Sequence, residues 1–385
     1  MRRLTYILLA LSFFLVSCNK DDGPAPIAKR TTLIYMAADN DLSSYAESNT
    51  EVIINAYKKL PSRPDTHLLI YKDTPNAEPQ LLYIDQNGSR IIKEYTGHIS
   101  SSSSSLSTAI RDIVTLFPAN TYSLVLWSHG TGWIPQEFPL VAKSAKSRPY
   151  QYPPTKTFGH QVVRNTTYEI EIDELKTAIP SGTFDFILFD ACYMGAVEVV
   201  YALKDKADYI ISSPCEVIAD GFPYHNITLE LTSESQDAQN LSLSIAKKYF
   251  NYYNQHSIPS YRYATVSVVR TSKLDALCAS VKKIIHAHRN DIDILDVNIT
   301  QTLDAYNHHF IYDLDSFISP ITYSNEYSEF SNALGETVIY SAHTPYMFDI
   351  PLNIFCGLST YIPFPTSVQR NQCYKSTDWY RATYP

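Results

Sequence analysis

Ser123-Leu-Val-Leu-Trp127-Ser-His-Gly130 and Phe184-Asp-Phe-Ile-Leu-Phe189-Asp-Ala-Cys192 are apolar runs of strand length, and each breaks off into a polar segment that carries one reactive side chain. Nearly continuous apolar character is expected of strands covered on both faces, as in a parallel sheet. Residues 172–179, between the two runs, have helical periodicity and supply the crossover that makes the strands parallel neighbours. Further out, residues 32–36, 67–71 and 209–212 read as strands, while 44–60, 106–117 and 194–206 read as helices. Strand and helix in alternation predict an α/β fold with a doubly wound, mostly parallel sheet flanked by helices. Asn87-Gly88 inside residues 80–95 signals a hairpin, either an appendage or a sheet edge. Residues 100–105, all serine, read as a flexible lead-in that caps the following helix.

Beyond residue 232 the pattern continues with a helix over 238–253, a strand over 263–269 and a helix over 273–288. The last third reads as a mixed α/β region. The expected organisation is a leader at 1–17, a tether at 18–29, a catalytic unit at 30–232 and a C-terminal α/β region at 233–385 that completes it or packs on it. The leader expectation rests on Arg2 and Arg3, an apolar run too short to span comfortably, and Leu15-Val-Ser-Cys18. This segment resembles a bacterial lipoprotein signal, in which Cys18 is lipidated and holds the protein on a membrane of the cell envelope.

The chain has 385 residues, of which 45% are hydrophobic and 18% charged, with a net charge of −8, so it has apolar residues enough for a substantial core. Clustered Lys and Arg are missing, which argues against nucleic acid as a partner. Without Cys18 there remain Cys192, Cys215, Cys278, Cys356 and Cys373, an odd number with no C-x-x-C spacing. The pairs His286/His288 and His308/His309 lack the spacing of two ligands on one helical face, and no metal or other cofactor is predicted.

Ligands bind beyond the carboxyl ends of strands in open parallel sheets, so His129 and Cys192 are the first candidates for chemistry. Cys192 would be the nucleophile, helped by a helix starting near Met194, and His129 the proton donor to a leaving amine. The N–H groups of Gly130 and Cys192 would receive an oxyanion. Cys215 lies farther past its strand and reads as structural. Asp39, Asn40 and Asp41 could line the same crevice, but a cap before Ser44 explains them better.

Ser128-His-Gly-Thr-Gly-Trp133 and Asp190-Ala-Cys-Tyr-Met-Gly195 resemble the histidine and cysteine motifs of clostripain-type peptidases, which share a caspase-like fold. Tyr35-Met-Ala-Ala-Asp-Asn-Asp-Leu42, Asp220-Gly-Phe-Pro-Tyr224, Tyr312-Asp-Leu314 and Gly357-Leu-Ser-Thr-Tyr-Ile-Pro363 extend the resemblance over most of the chain. Thr131 and Cys215 depart from the family pattern. The resemblance implies a cysteine endopeptidase acting on protein or peptide substrates after Arg or Lys, with Asp190 and Asp220 as candidate counter-charges, and a monomer is expected. Either carboxylate could instead be bonded to nearby backbone N–H groups. Some members depend on calcium, and the sequence leaves that open. Family members are often matured by cleavage between the two motifs, which points to Lys146 and Arg148 in the proline-rich stretch 136–167. The alternative function is a surface lipoprotein that keeps the fold as an inactive binding module.

Overall fold

The computed structural model describes residues 27–135, 161–163, 166–305, 309–364 and 367–384. Cys18, Lys146, Arg148 and His308, for which expectations were stated, lie outside the described residues.

Nine strands form one sheet: β1 (Ala28–Ala37), β2 (Thr66–Asp73), β3 (Gln80–Asp85), β4 (Gly88–Glu94), β5 (Ala119–Trp127), β6 (Phe184–Asp190), β7 (Ala207–Ser212), β8 (Thr265–Arg270) and β9 (Val338–His343). Their order is β9-β8-β7-β6-β5-β1-β2-β3-β4. The five strands from β7 to β2 are parallel, and antiparallel strands extend the sheet at both ends. Asn87 and Gly88 do turn a hairpin, and it forms the sheet edge. At the opposite end β8 and β9 extend the sheet from β7, so residues after 232 complete it.

Alternation along the strands sorts the apolar side chains onto two faces, with Leu33 and Tyr35 on one and Ile34 and Met36 on the other. The first face is covered by α2 (Ser103–Leu116), α3 (Ile172–Ala178), α4 (Val197–Ala202) and α7 (Leu274–Ala287). The second is covered by α1 (Ser43–Lys58), α5 (Tyr224–Leu231) and α6 (Ala238–Asn254). Helix α2 begins inside the serine run, where the Ser102 side chain accepts from the N–H of Ser105. No helix among the described residues is long and apolar enough to cross a membrane.

At the amino end of the parallel strands Arg30 is fully buried. It donates to Ser123 Oγ at 3.1 Å, to the carbonyls of Ser233 and Ser235 at 2.8 Å each, and pairs with Asp185. This joins β1, β5, β6 and the chain after α5. Burial lifts the Asp185 carboxyl above its usual range, against the pull of Arg30.

Two boundaries differ from expectation. The tether was expected to run to residue 29, but β1 begins at Ala28, because Ala28 pairs with Ala119 and Lys29 N–H reaches Asp65 O. The helix expected from Met194 is only Val197–Ala202. Its start is delayed because Tyr193 takes φ +61° and the N–H groups of Tyr193 and Gly195 bond outward to Cys215 O and Ser213 O, 2.8 Å each. No helix terminus therefore sits at Cys192, and the dipole argument for its thiolate does not hold.

Candidate active site

Strand register decides where the two reactive side chains stand. Trp127 of β5 is paired with Asp190 of β6, so His129 and Cys192, each two residues further on, leave adjacent strands at the same level. Met36 of β1 is paired with Trp127, which brings the segment after β1 to the same edge. Ser128 Oγ holds the strand ends together by donating to Ala37 O at 2.6 Å.

Glycine permits the two loops to touch. A Cβ on Gly130 would overlap the carbonyl oxygen of Cys192 and lie 3.1 Å from its nitrogen. Gly132, at φ +69°, lies against Tyr193 less tightly, where a Cβ would be 3.0 Å from the carbonyl oxygen. The Thr131 hydroxyl, at the position departing from the family pattern, donates to Ile134 O within the same loop.

His129 is 7% exposed, and its Nε2 lies 2.5 Å from Asp41 Oδ1. Asp41 itself is well exposed. The cap expected from Asp41 is absent, since no side chain caps α1; Asn40 Oδ1 instead accepts from the N–H of Leu42 at 2.9 Å. Cys192 is 1% exposed. Its Sγ accepts the Val217 N–H at 3.1 Å and donates to the Val217 carbonyl at 3.6 Å, so it faces the chain after β7. Tyr193, strained in the left-handed region, is secured by its hydroxyl on Glu216 Oε1 at 2.9 Å.

Cys192 and His129 thus leave the ends of adjacent strands at one sheet edge, with Asp41 on the imidazole and Val217 on the thiol. The clostripain family model matches residues 34–383. The chain belongs to the clostripain family. Its fold is similar to an inactive zymogen C11 protease from Parabacteroides distasonis, at 32% identity and TM-score 0.78 over 94% of this chain and 100% of that one. It is also similar to a secreted C11 cysteine protease from Bacteroides thetaiotaomicron in complex with an irreversible peptide inhibitor, at 26% identity and TM-score 0.75 over 92% and 98%. A Bacteroides fragilis cysteine protease matches 58% of this chain and 95% of its own, at 30% identity and TM-score 0.51. None of the curated proteins compared matches significantly.

The two acidic candidates of this clostripain-family chain sit differently. Asp190 is fully buried, and its Oδ2 accepts from Phe222 N–H at 3.1 Å and Tyr224 Oη at 3.0 Å. It braces the loop that carries Asp220. Asp220 is exposed, and that loop is further held by Asn49 Nδ2 on Asp220 O and Tyr253 Oη on Gly221 O. Tyr45, Tyr252 and Tyr261 surround it: each is held above the ordinary tyrosine range, first by burial and then by the charge of Asp220.

Cys215 is fully buried, and burial pushes its thiol well up, which suits a structural residue. Among the described residues no group of three or more His, Cys, Asp or Glu side chains is arranged to hold a metal ion. The sequence reading ranked a crevice position for Asp41 below a helix cap and missed Val217, because both residues act through strand order. Asp41 meets His129 only once β1 lies beside β5, and β1 and β5 are far apart in sequence.

Proposed function

We propose that this chain is a cysteine endopeptidase in which Cys192 attacks the scissile carbonyl and His129, steadied by Asp41, handles the proton. His129 takes the proton of the thiol as the sulfur forms a bond to the carbonyl carbon, the C=O pair moves onto oxygen, and the oxyanion is received by the N–H groups of Gly130 and Cys192. Collapse breaks the C–N bond, and the imidazolium gives its proton to the amine that leaves. Water, its proton taken by His129, then cleaves the thioester and restores the thiol. The observation that carries this reading is the level register of Trp127 and Asp190, with Gly130 set against the backbone of Cys192.

Preference for Arg or Lys before the cut is assigned to Asp220, an exposed carboxylate flanked by tyrosines that suit a cation and its alkyl stem. Asp190 serves that pocket from within by fixing the 220–224 loop. A panel of fluorogenic peptides differing at the residue before the cut, assayed with wild type, Cys192→Ala and Asp220→Asn, tests both parts. Asp220→Asn should lower kcat/KM for basic substrates at least about tenfold more than for neutral ones. An unchanged ratio removes the pocket assignment, and undiminished hydrolysis by Cys192→Ala removes the whole reading.

One observation favours a second state. The thiol of Cys192 is sealed against Val217, and a relative of 32% identity is an inactive zymogen. Cleavage at Lys146 or Arg148, between the two catalytic residues in sequence, is proposed to precede activity. A chain that stays single while fully active would refute this, whereas a cleaved chain without turnover would favour the inactive binding module. Location at the cell envelope through lipid on Cys18 rests on Leu15-Val-Ser-Cys18 and is supported by the secreted relative. Cys18→Ala should release the protein from membranes, and unchanged lipid labelling of that variant would refute the anchor.

A further inference from the structure

The Cys192 thiol is buried, and the backbone of Val217 engages it on both counts, giving an N–H to the sulfur and taking the S–H on its carbonyl. A sulfur held this way does not reach a scissile carbonyl until Val217 withdraws. Whatever fastens Val217 in place therefore governs access to the nucleophile, an inference that rests on the role proposed for Cys192 and concerns its regulation.

Backbone bonds fasten the segment 213–217 to the turn after Cys192. Tyr193 N–H donates to Cys215 O and Gly195 N–H to Ser213 O, at 2.8 Å each. The segment is stiffened from within, because Ser213 Oγ accepts from Cys215 N–H at 3.2 Å and lies 2.6 Å from Thr265 Oγ1 of β8. To these a side-chain bond is added next to Val217: Tyr193 Oη donates to Glu216 Oε1 at 2.9 Å. Glu216 is buried, so little water competes for that bond.

Tyr193 takes φ +61°, a left-handed conformation that a bulky residue adopts only under constraint. Its ring is buried, and its carbonyl oxygen lies against Gly132 of the histidine loop. Glycine would reach the same φ without strain, so a turn that only had to close would not call for tyrosine. What tyrosine adds is the hydroxyl on Glu216. Strain in the backbone favours opening of the turn, and the hydroxyl bond opposes it.

We propose that Tyr193 and Glu216 form a latch that keeps Cys192 sealed against Val217. When the hydroxyl bond breaks, Tyr193 relaxes out of the left-handed region, its N–H leaves Cys215 O, and Val217 parts from the thiol. The latch controls access to the sulfur and takes no part in the bond changes that follow.

The test reads access to the thiol without turnover. The full chain as wild type, Tyr193→Phe and Glu216→Gln, each confirmed by mass as a single uncleaved chain, is treated with iodoacetamide, and alkylation of Cys192 is followed by mass spectrometry. Alkylation through a minor open state scales with the population of that state. Tyr193→Phe keeps the ring and removes the hydroxyl, so Cys192 should react about tenfold faster or more, the worth of one hydrogen bond to a charged group. Glu216→Gln keeps an acceptor oxygen for Tyr193 and should be accelerated severalfold, between the other two. Hydrogen exchange gives a second reading, since the Val217 amide should exchange faster in Tyr193→Phe by a similar factor. Cys278, on α7, is the control for general loosening and should keep its wild-type rate.

A Cys192 rate within about twofold of wild type in Tyr193→Phe, or equal acceleration at Cys278, overturns the latch. Should Tyr193→Phe fail to fold, Glu216→Gln carries the test, and an unchanged rate in it counts against the proposal. A failed latch leaves the proposed nucleophile standing, whereas peptide hydrolysis undiminished in Cys192→Ala would remove the nucleophile without altering these rates.

Discussion

Gly130→Ala is the perturbation whose effect follows most directly from the contact between the two loops. The added methyl would overlap Cys192 O by about 1 Å, measured against the roughly 3.3 Å of an ordinary C···O contact. The cysteine loop has little freedom to retreat. Tyr193 and Gly195 are bonded to Cys215 and Ser213, and the Gly195 carbonyl accepts from Ser359 N–H at 3.0 Å. The histidine loop must therefore move, and His129 with it. Misplacement of that size costs on the order of 100-fold in rate, while the overpacking costs about 1–3 kcal/mol of stability. The assay is kcat/KM on a fluorogenic peptide together with thermal unfolding of the same preparation. The expected result is a folded protein with a lower Tm and about 1% of wild-type kcat/KM. Activity within about threefold of wild type would refute the close approach of the loops.

Asp41→Asn should keep the hydrogen bond to His129 but lose its charge, lowering kcat with little change in KM. Because Asp41 is largely exposed, the loss should be about ten- to a hundredfold, well short of the roughly 10⁴ seen for a buried triad Asp; unchanged kcat would make the contact incidental. Arg30→Met strands the buried Asp185 and should cost about 3–5 kcal/mol in denaturant unfolding, and a loss below about 1 kcal/mol would show that the pair holds little together. For Glu198 the folded carboxyl, raised from 4.5 to about 7, binds a proton that the unfolded chain releases. Its stabilising contribution is therefore complete below pH 4.5 and is lost as pH rises through 7, a span worth about 3 kcal/mol. Glu198→Gln should accordingly unfold at a higher Tm than wild type at pH 8, with the gap closing by pH 5, and a constant difference would contradict the assignment.

The parallel core of the sheet was legible because β1, β2, β5, β6 and β7 are short apolar runs bounded by polar breaks, and a strand covered on both faces leaves that mark in sequence. The strand ends that carry His129 and Cys192 were legible for the same reason. What escaped was set by distant partners. Residues 194–196 have helical character, but backbone bonds to the segment after β7 draw them out of the helix. For Asp190 the sequence leaves open a substrate contact or a bond to nearby backbone N–H groups, and only the packing of Phe222 and Tyr224 onto it favours the buried brace. Asp41 has the local signature of a helix cap, and its contact with His129 depends on β1 lying next to β5. Glu198 gave no signal, because its environment is built from Thr360 and Tyr361, over 150 residues away in the chain.

The central claim is that Cys192 is the nucleophile and His129 its partner, and covalent labelling tests it most directly. Purified chain would be treated with an irreversible peptidyl electrophile bearing Arg, and the adduct mapped by mass spectrometry in wild type, His129→Ala and Cys192→Ala. The account predicts one adduct, on Cys192, formed at least about a hundredfold more slowly in His129→Ala and absent from Cys192→Ala. An adduct on Cys215, Cys278, Cys356 or Cys373 in its place, or hydrolysis undiminished in Cys192→Ala, would contradict it.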